Sequence, residues 1–69
     1  MAQTIRADEA GKGDVVTGLD RYGRLFSGRV VSMSRCRRAP GTRQIVSLDL
    51  ADQVRSVYAA ERLTLHGEA

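Results

Sequence analysis

Arginine is the residue type through which this sequence most plainly does chemistry. Seven arginines, Arg21, Arg24, Arg29, Arg35, Arg37, Arg38 and Arg43, fall between positions 21 and 43, and that stretch contains no acid. A guanidinium donates in a planar fork that fits phosphate oxygens, and each phosphate it neutralises releases counterions. The flanking segments are mildly negative. Residues 1–20 hold two bases (Arg6, Lys12) against four acids, and residues 44–69 hold two bases (Arg55, Arg62) against four acids. The net charge of +3 is therefore one positive block between two negative ones, a field that attracts polyanions. The plainer account is a solvated, arginine-rich surface. Ten Arg against one Lys also fits a GC-rich coding bias.

One aromatic sits inside the basic block. Tyr22 lies between Arg21 and Arg24, where a ring could stack on a base as aromatics do on single-strand platforms. Its structural alternative is a turn residue packing its ring over the edge of the domain. Phe26 and Tyr58 read as core, because so few aromatics are available to fill one.

Other chemistries lack their residues. His66 and Cys36 are the only residues of their types, too few and too far apart for a zinc site. Cys36 lies between Arg35 and Arg37, a setting that could activate a thiol, but a Cys–His nucleophile also needs an orienting third group and a cleft, and the expected reading is an incidental thiol in a loop. Asp8-Glu9 falls in a polar segment with no pocket to raise a carboxyl pKa. The glycines stand singly, and no lysine follows a phosphate-loop pattern. The expectation is a protein that is not an enzyme, with no metal, no cofactor and no small-molecule substrate.

The elements that must carry the arginines read as strands. Residues 1–12 have no sustained apolar period and are expected to form a flexible tail, with a single helical turn around Thr4 to Ala10 as the alternative. Val15 to Leu19 alternates, with Val15 and Leu19 the better inner-face candidates. Asp20-Arg21-Tyr22-Gly23 is a four-residue turn, with Asp at its first position and Gly at its last. The next strand, from Arg24 to Met33 or slightly beyond, is long. Leu25, Val31 and Met33 share one parity, Phe26 and Val30 the other, so a bulge or bend at Ser27-Gly28 is expected to switch the face. Ser34 to Thr42 reads as a cationic connection with a turn at Pro40-Gly41. Arg43 to Leu50 alternates, with Val46, Leu48 and Leu50 on one face. Gln53 to Tyr58 follows, with Val54 and Tyr58 inward. Ala59-Ala60-Glu61 reads as one 3₁₀ turn, and Arg62 to His66 as the last strand with Leu63 and Leu65 inward. Residues 67–69 are a frayed end.

The expected fold is all-β: five short antiparallel strands over residues 13–66, closing into a small barrel that hides its edges. The core of such a short domain is modest, and one cysteine allows no internal disulfide, which fits a reducing cytoplasm. No signal-peptide pattern and no apolar run near the roughly 20 residues of a membrane span is present, so no membrane partner is expected.

This order of elements resembles the small SH3-like and Sm-like β-barrels. Leu19-Asp20-Arg21-Tyr22-Gly23-Arg24-Leu25-Phe26-Ser27-Gly28-Arg29-Val30 is similar to the first part of the Sm motif. Val57-Tyr58-Ala59-Ala60-Glu61-Arg62-Leu63 resembles the closing strand, 3₁₀ turn and last strand of an SH3-like barrel. The chain departs from the Sm pattern in having no clear N-terminal helix and no Asn- or Asp-rich signature after the second strand. It also departs from the plasmid-borne dihydrofolate reductases built on such barrels, since Val54-Arg55-Ser56-Val57-Tyr58 lacks their Gln-Ile-Tyr order. The resemblance implies binding of RNA, DNA or protein tails.

Two functions follow as expectations. The first is a small basic module, a regulator or accessory protein, that binds RNA or DNA phosphates through Arg21, Arg24, Arg35, Arg37, Arg38 and Arg43, with Tyr22 as a stacking group. The second is a protein-interaction or inhibitor module that self-assembles or docks through strand edges without nucleic acid.

Overall fold

The structure is a computed structural model and describes residues 3–36 and 43–66. Six strands form one antiparallel sheet: β1 (Gln3–Arg6), β2 (Val15–Leu19), β3 (Leu25–Cys36), β4 (Ile45–Leu50), β5 (Val54–Tyr58) and β6 (Arg62–His66). Their order is β1-β6-β2-β3-β4-β5. The sheet is open as a ladder, with β1 at one end and β5 at the other. The expected all-β, antiparallel class is therefore observed, with six strands in place of five.

The sixth strand comes from the stretch expected to be a tail. Gln3–Arg6 pairs with β6, Ile5 lying opposite Leu63. A 3₁₀ turn, Ala7–Glu9, follows and buries Ala7. Its ends are tied down: Arg6 N–H donates to Glu9 Oε1 at 3.0 Å, and Ala7 and Asp8 N–H donate to Glu61 and Ala59 carbonyls. Small alanines at 7 and 10 let this polar segment lie against the core. Composition gave no sign of β1, because its pairing partner lies at the far end of the chain; the 3₁₀ turn falls within the alternative helical turn around Thr4 to Ala10. Among the described residues this is the 3₁₀ segment. The one expected at Ala59–Glu61 is instead a single turn closed by Glu61 N–H to Tyr58 C=O at 3.0 Å.

β3 is long because it serves two ladders. Leu25 to Arg29 pairs with β2, and Val30 to Cys36 pairs with β4. Ser34, Arg35 and Cys36 are thus strand, not connection. The register shifts between Val30 and Ser32: β3 advances two residues while β4 advances one. Val31 is the extra residue, and the face switches there. Phe26 and Val30 point inward before the bulge, and Met33 packs against the core after it, while Leu25 and Val31 are exposed. The switch of face was expected; its place was not. Gly28 keeps its ladder position opposite Val16, where a Cβ would lie 3.4 Å from Leu50 Cδ1. The glycine makes room for a core leucine and leaves the bend to Val31.

The core is Val16, Phe26, Val30, Val46, Leu48, Leu50, Val57, Ala59 and Leu63, joined by Ala7 and Ala10. Val46, Leu48 and Leu50 alternate inward as their pattern predicts, and Leu63 is fully buried. Two strands sit on the opposite parity from that expected. In β2, Val16 is buried and Leu19 exposed, because Gly18 on the inner face leaves space for Leu63; a Cβ there would collide with the Leu63 side chain. In β5, Val57 is buried and Val54 exposed. The turn expected at Pro40-Gly41 and the frayed end expected at 67–69 lie outside the described residues. No helix of the described residues is long and apolar enough to cross a membrane.

Candidate functional site

The turn between β2 and β3 forms as its composition requires. Gly23 N–H donates to Asp20 C=O at 3.0 Å, and Gly23 has φ of +80°, a conformation that residues with a Cβ rarely adopt. Asp20 is buried and organises the turn. Its Oδ1 accepts from Tyr22 N–H at 2.9 Å and from Arg24 N–H at 3.0 Å. Its Oδ2 accepts from Arg55 Nη1 on β5 at 3.0 Å. Hydrogen bonding from Arg24 N–H holds the carboxyl below its usual range; burial opposes this, and Tyr22 N–H and Arg55 reinforce it. Arg55 is fixed from the other side by Gln53 Oε1 at 2.9 and 2.7 Å.

Because Asp20 is saturated from within, the turn's own cations face outward. Arg21, Tyr22 and Arg24 are exposed, Tyr22 by 72%. The Arg21 guanidinium carbon lies 5.2 Å from the Tyr22 ring centroid. The backbone of the same turn is joined to β5: Arg21 N–H donates to Ser56 C=O at 2.8 Å.

Arg43 arrives at the same strand from elsewhere. It precedes β4, which pairs with β5, and its guanidinium carbon lies 3.8 Å from the ring centroid of Tyr58. Tyr58 is thus half-buried beneath an arginine on the outer face and does not belong to the buried core. Ser56 and Tyr58 are two positions apart, about 7 Å along a strand. Residues separated by 22 in sequence, Arg21 and Arg43, are therefore brought to one edge strand.

Arg35 lies apart from this group. It sits near the other end of β3 and approaches Asp8 of the 3₁₀ turn, Nη1 to Oδ2, at 3.7 Å. Asp8 is already held by Arg6 through two contacts of 3.1 Å. These bonds from Arg6 draw the Asp8 carboxyl below its ordinary value, against burial and with a smaller contribution from Arg35. Arg29 donates from Nη1 to Gly13 C=O at 3.0 Å. Arg37 and Arg38 lie outside the described residues.

Arg55, Ser56 and Tyr58 were missed as parts of the site. The charge count placed Arg55 in an acidic segment, and only the parity of β5 reveals that it points to Asp20. A further polar cluster lies on β2, β3 and β6, where Thr17 Oγ1 contacts His66 Nε2 at 2.7 Å and Ser27 Oγ at 3.1 Å. Cys36, in β3, is half-buried with a free thiol. The chain matches no protein-family profile, no curated protein and no solved structure.

Proposed function

We propose that this chain is a small basic nucleic-acid-binding module, a regulator or accessory protein without enzymatic activity, on an SH3-like or Sm-like barrel. Closure into a barrel is supported by backbone bonds that bridge the open ladder at β5, from Arg21 N–H to Ser56 C=O, and near the β5–β6 turn, from Asp8 N–H to Ala59 C=O. The observation that carries the functional reading is the meeting of Arg21, Tyr22 and Arg24 with Arg43 along β5. Among the described residues no carboxylate lies within ion-pair distance of Arg21, Arg24 or Arg43. Unpaired guanidinium groups are the ones free to neutralise phosphate. Arg37 and Arg38 follow β3 directly in sequence and belong to the proposed phosphate contacts, whereas Arg35 contributes less because Asp8 competes for it.

The test is a salt titration of binding to fluorescent RNA and DNA oligonucleotides, followed by anisotropy. The log–log salt slope should be steep and should become shallower by about 0.7 to 0.9 for each phosphate contact removed. Replacing Arg21, Arg24 and Arg43 together by alanine should flatten it. An unchanged slope in that variant would remove the site assignment.

A second reading, a protein-interaction module, is supported by a different observation. Leu25 and Val54 are 72% and 63% exposed, on strands whose edges or outer faces are open. Such surfaces accept a strand or an apolar segment of another chain. Capture of a protein partner that survives nuclease treatment, together with no binding to any oligonucleotide at low salt, would favour it.

A further inference from the structure

The even-numbered residues of β5 point their backbone away from β4. Leu50 N–H donates to Gln53 C=O and Ala59 N–H donates to Gln44 C=O, which sets the alternation of the ladder. Val54, Ser56 and Tyr58 therefore turn their N–H and C=O groups to the open edge. Ser56 C=O is taken by Arg21 and Tyr58 C=O by Glu61, and their N–H groups have no backbone partner among the described residues. Two flat units are tied to this strand, one through the Arg21 N–H bond to Ser56 C=O and one through Tyr58 itself. One is the Tyr22 ring, mostly exposed, beside the Arg21 guanidinium. The other is the Arg43 guanidinium lying on the Tyr58 ring at 3.8 Å, with Arg43 itself exposed.

We infer that this edge is a stacking platform for single-stranded nucleic acid, with one base on the Tyr22 ring, a neighbouring base on the Arg43–Tyr58 stack, and the intervening backbone against Arg21, Arg24 and the free N–H groups of β5. The inference rests on the phosphate-binding reading above and gives it a substrate class. Flat faces of this kind can be covered only by bases that have left a duplex stack. A duplex presents phosphates and groove edges, for which a mobile cation suffices. The Arg43–Tyr58 pair is a planar cation held over a ring, 3.8 Å from its centroid, which a base can extend as a further layer. RNA and DNA share this chemistry, since both sugars present unstacked bases once single-stranded.

The test compares the full chain with Tyr22→Ala and with Arg43→Lys, using oligo-U, oligo-dT and a duplex of equal charge, each across a range of salt. Arg43→Lys keeps the charge and removes the plane. Tyr22→Ala removes an exposed ring. Thermal unfolding of both variants checks that the fold is intact. The expected result is tighter binding of single strands than of duplex, with Tyr22→Ala weakening single-strand binding roughly 5- to 150-fold, the range for loss of one stacked base. Arg43→Lys should weaken it in the same direction. In both variants the salt slope and the duplex affinity should be unchanged. The relative affinity for oligo-U and oligo-dT then names the sugar. Salt-dependent binding that both variants leave unaltered, or duplex bound as tightly as single strands, would overturn the platform and leave the phosphate reading standing. No binding to any oligonucleotide at low salt would overturn both.

Discussion

The two ends of β3 carry the same kinds of residue and use them in opposite ways. At the Leu25 end, Asp20 takes its cation, Arg55, from outside the basic block, and the block's own Arg21 and Arg24 meet no carboxylate among the described residues. The Asp20 and Arg55 side chains there are 3% and 28% exposed. At the Cys36 end, Asp8 takes Arg35 from the block itself, across 3.7 Å, with side chains 15% and 60% exposed. One end is a braced turn that displays charge; the other is a surface contact that neutralises some of it. Charge counted along a sequence is thus not charge available to a ligand. Availability depends on which acid each arginine meets after folding.

The comparison breaks most easily at Asp20. Asp20→Ala removes the acceptor of two turn N–H groups and leaves Arg55 without its carboxylate, so its urea midpoint should fall further than that of Gly23→Ala or Asp8→Asn. The pH dependence has a definite sign. A carboxyl whose folded pKa is depressed adds stability in full above its ordinary value, about 3.9, and loses it as pH falls through the depressed folded value. The wild type should therefore lose stability more steeply in acid than Asp20→Asn. Parallel acid profiles would mean that the carboxylate does not brace the turn.

Gly23→Ala tests the turn's backbone alone. A Cβ at Gly23 meets no atom within 4 Å, so its cost is the φ of +80°, about 1–2 kcal/mol by denaturant unfolding. A neutral result would show that the turn relaxes to another type. Asp8→Asn is the smallest change expected. It releases Arg35 and weakens the Arg6 contacts, and it should lower the unfolding midpoint less than either change at the turn, because both guanidinium partners are exposed to solvent screening. It should, however, strengthen oligonucleotide binding slightly at low salt. A loss of stability matching that of Asp20→Ala would erase the distinction between the two ends.

How much of this was legible in the sequence depends on how local each cause is. The Asp20–Gly23 turn was legible, because Asp capping and a positive φ at glycine are decided within four residues. So was the inward face of β4, where Val46, Leu48 and Leu50 alternate without interruption. The need for a face switch in β3 was visible in its mixed parity. Its position was not, since Gly28 keeps its ladder place opposite Val16 and makes room for Leu50, a residue of another strand. β1 was invisible, because Gln3 to Arg6 becomes a strand only when β6 supplies its partner.

The candidate site divides along the same line. Sequence alone determined the cationic block, the aromatic within it and the turn that exposes Arg21, Tyr22 and Arg24, because these rest on residue type and short-range backbone chemistry. The tertiary structure alone decided that Arg43 lies on Tyr58, that Arg21 is bonded to Ser56 of the same strand, that Arg55 is committed to Asp20, and that Arg35 is drawn to Asp8. Those pairings join residues far apart in the chain. They follow from β-sheet register and from the parity of β5, in which a shift of a single residue would exchange Arg55 for Ser56 on the inner face.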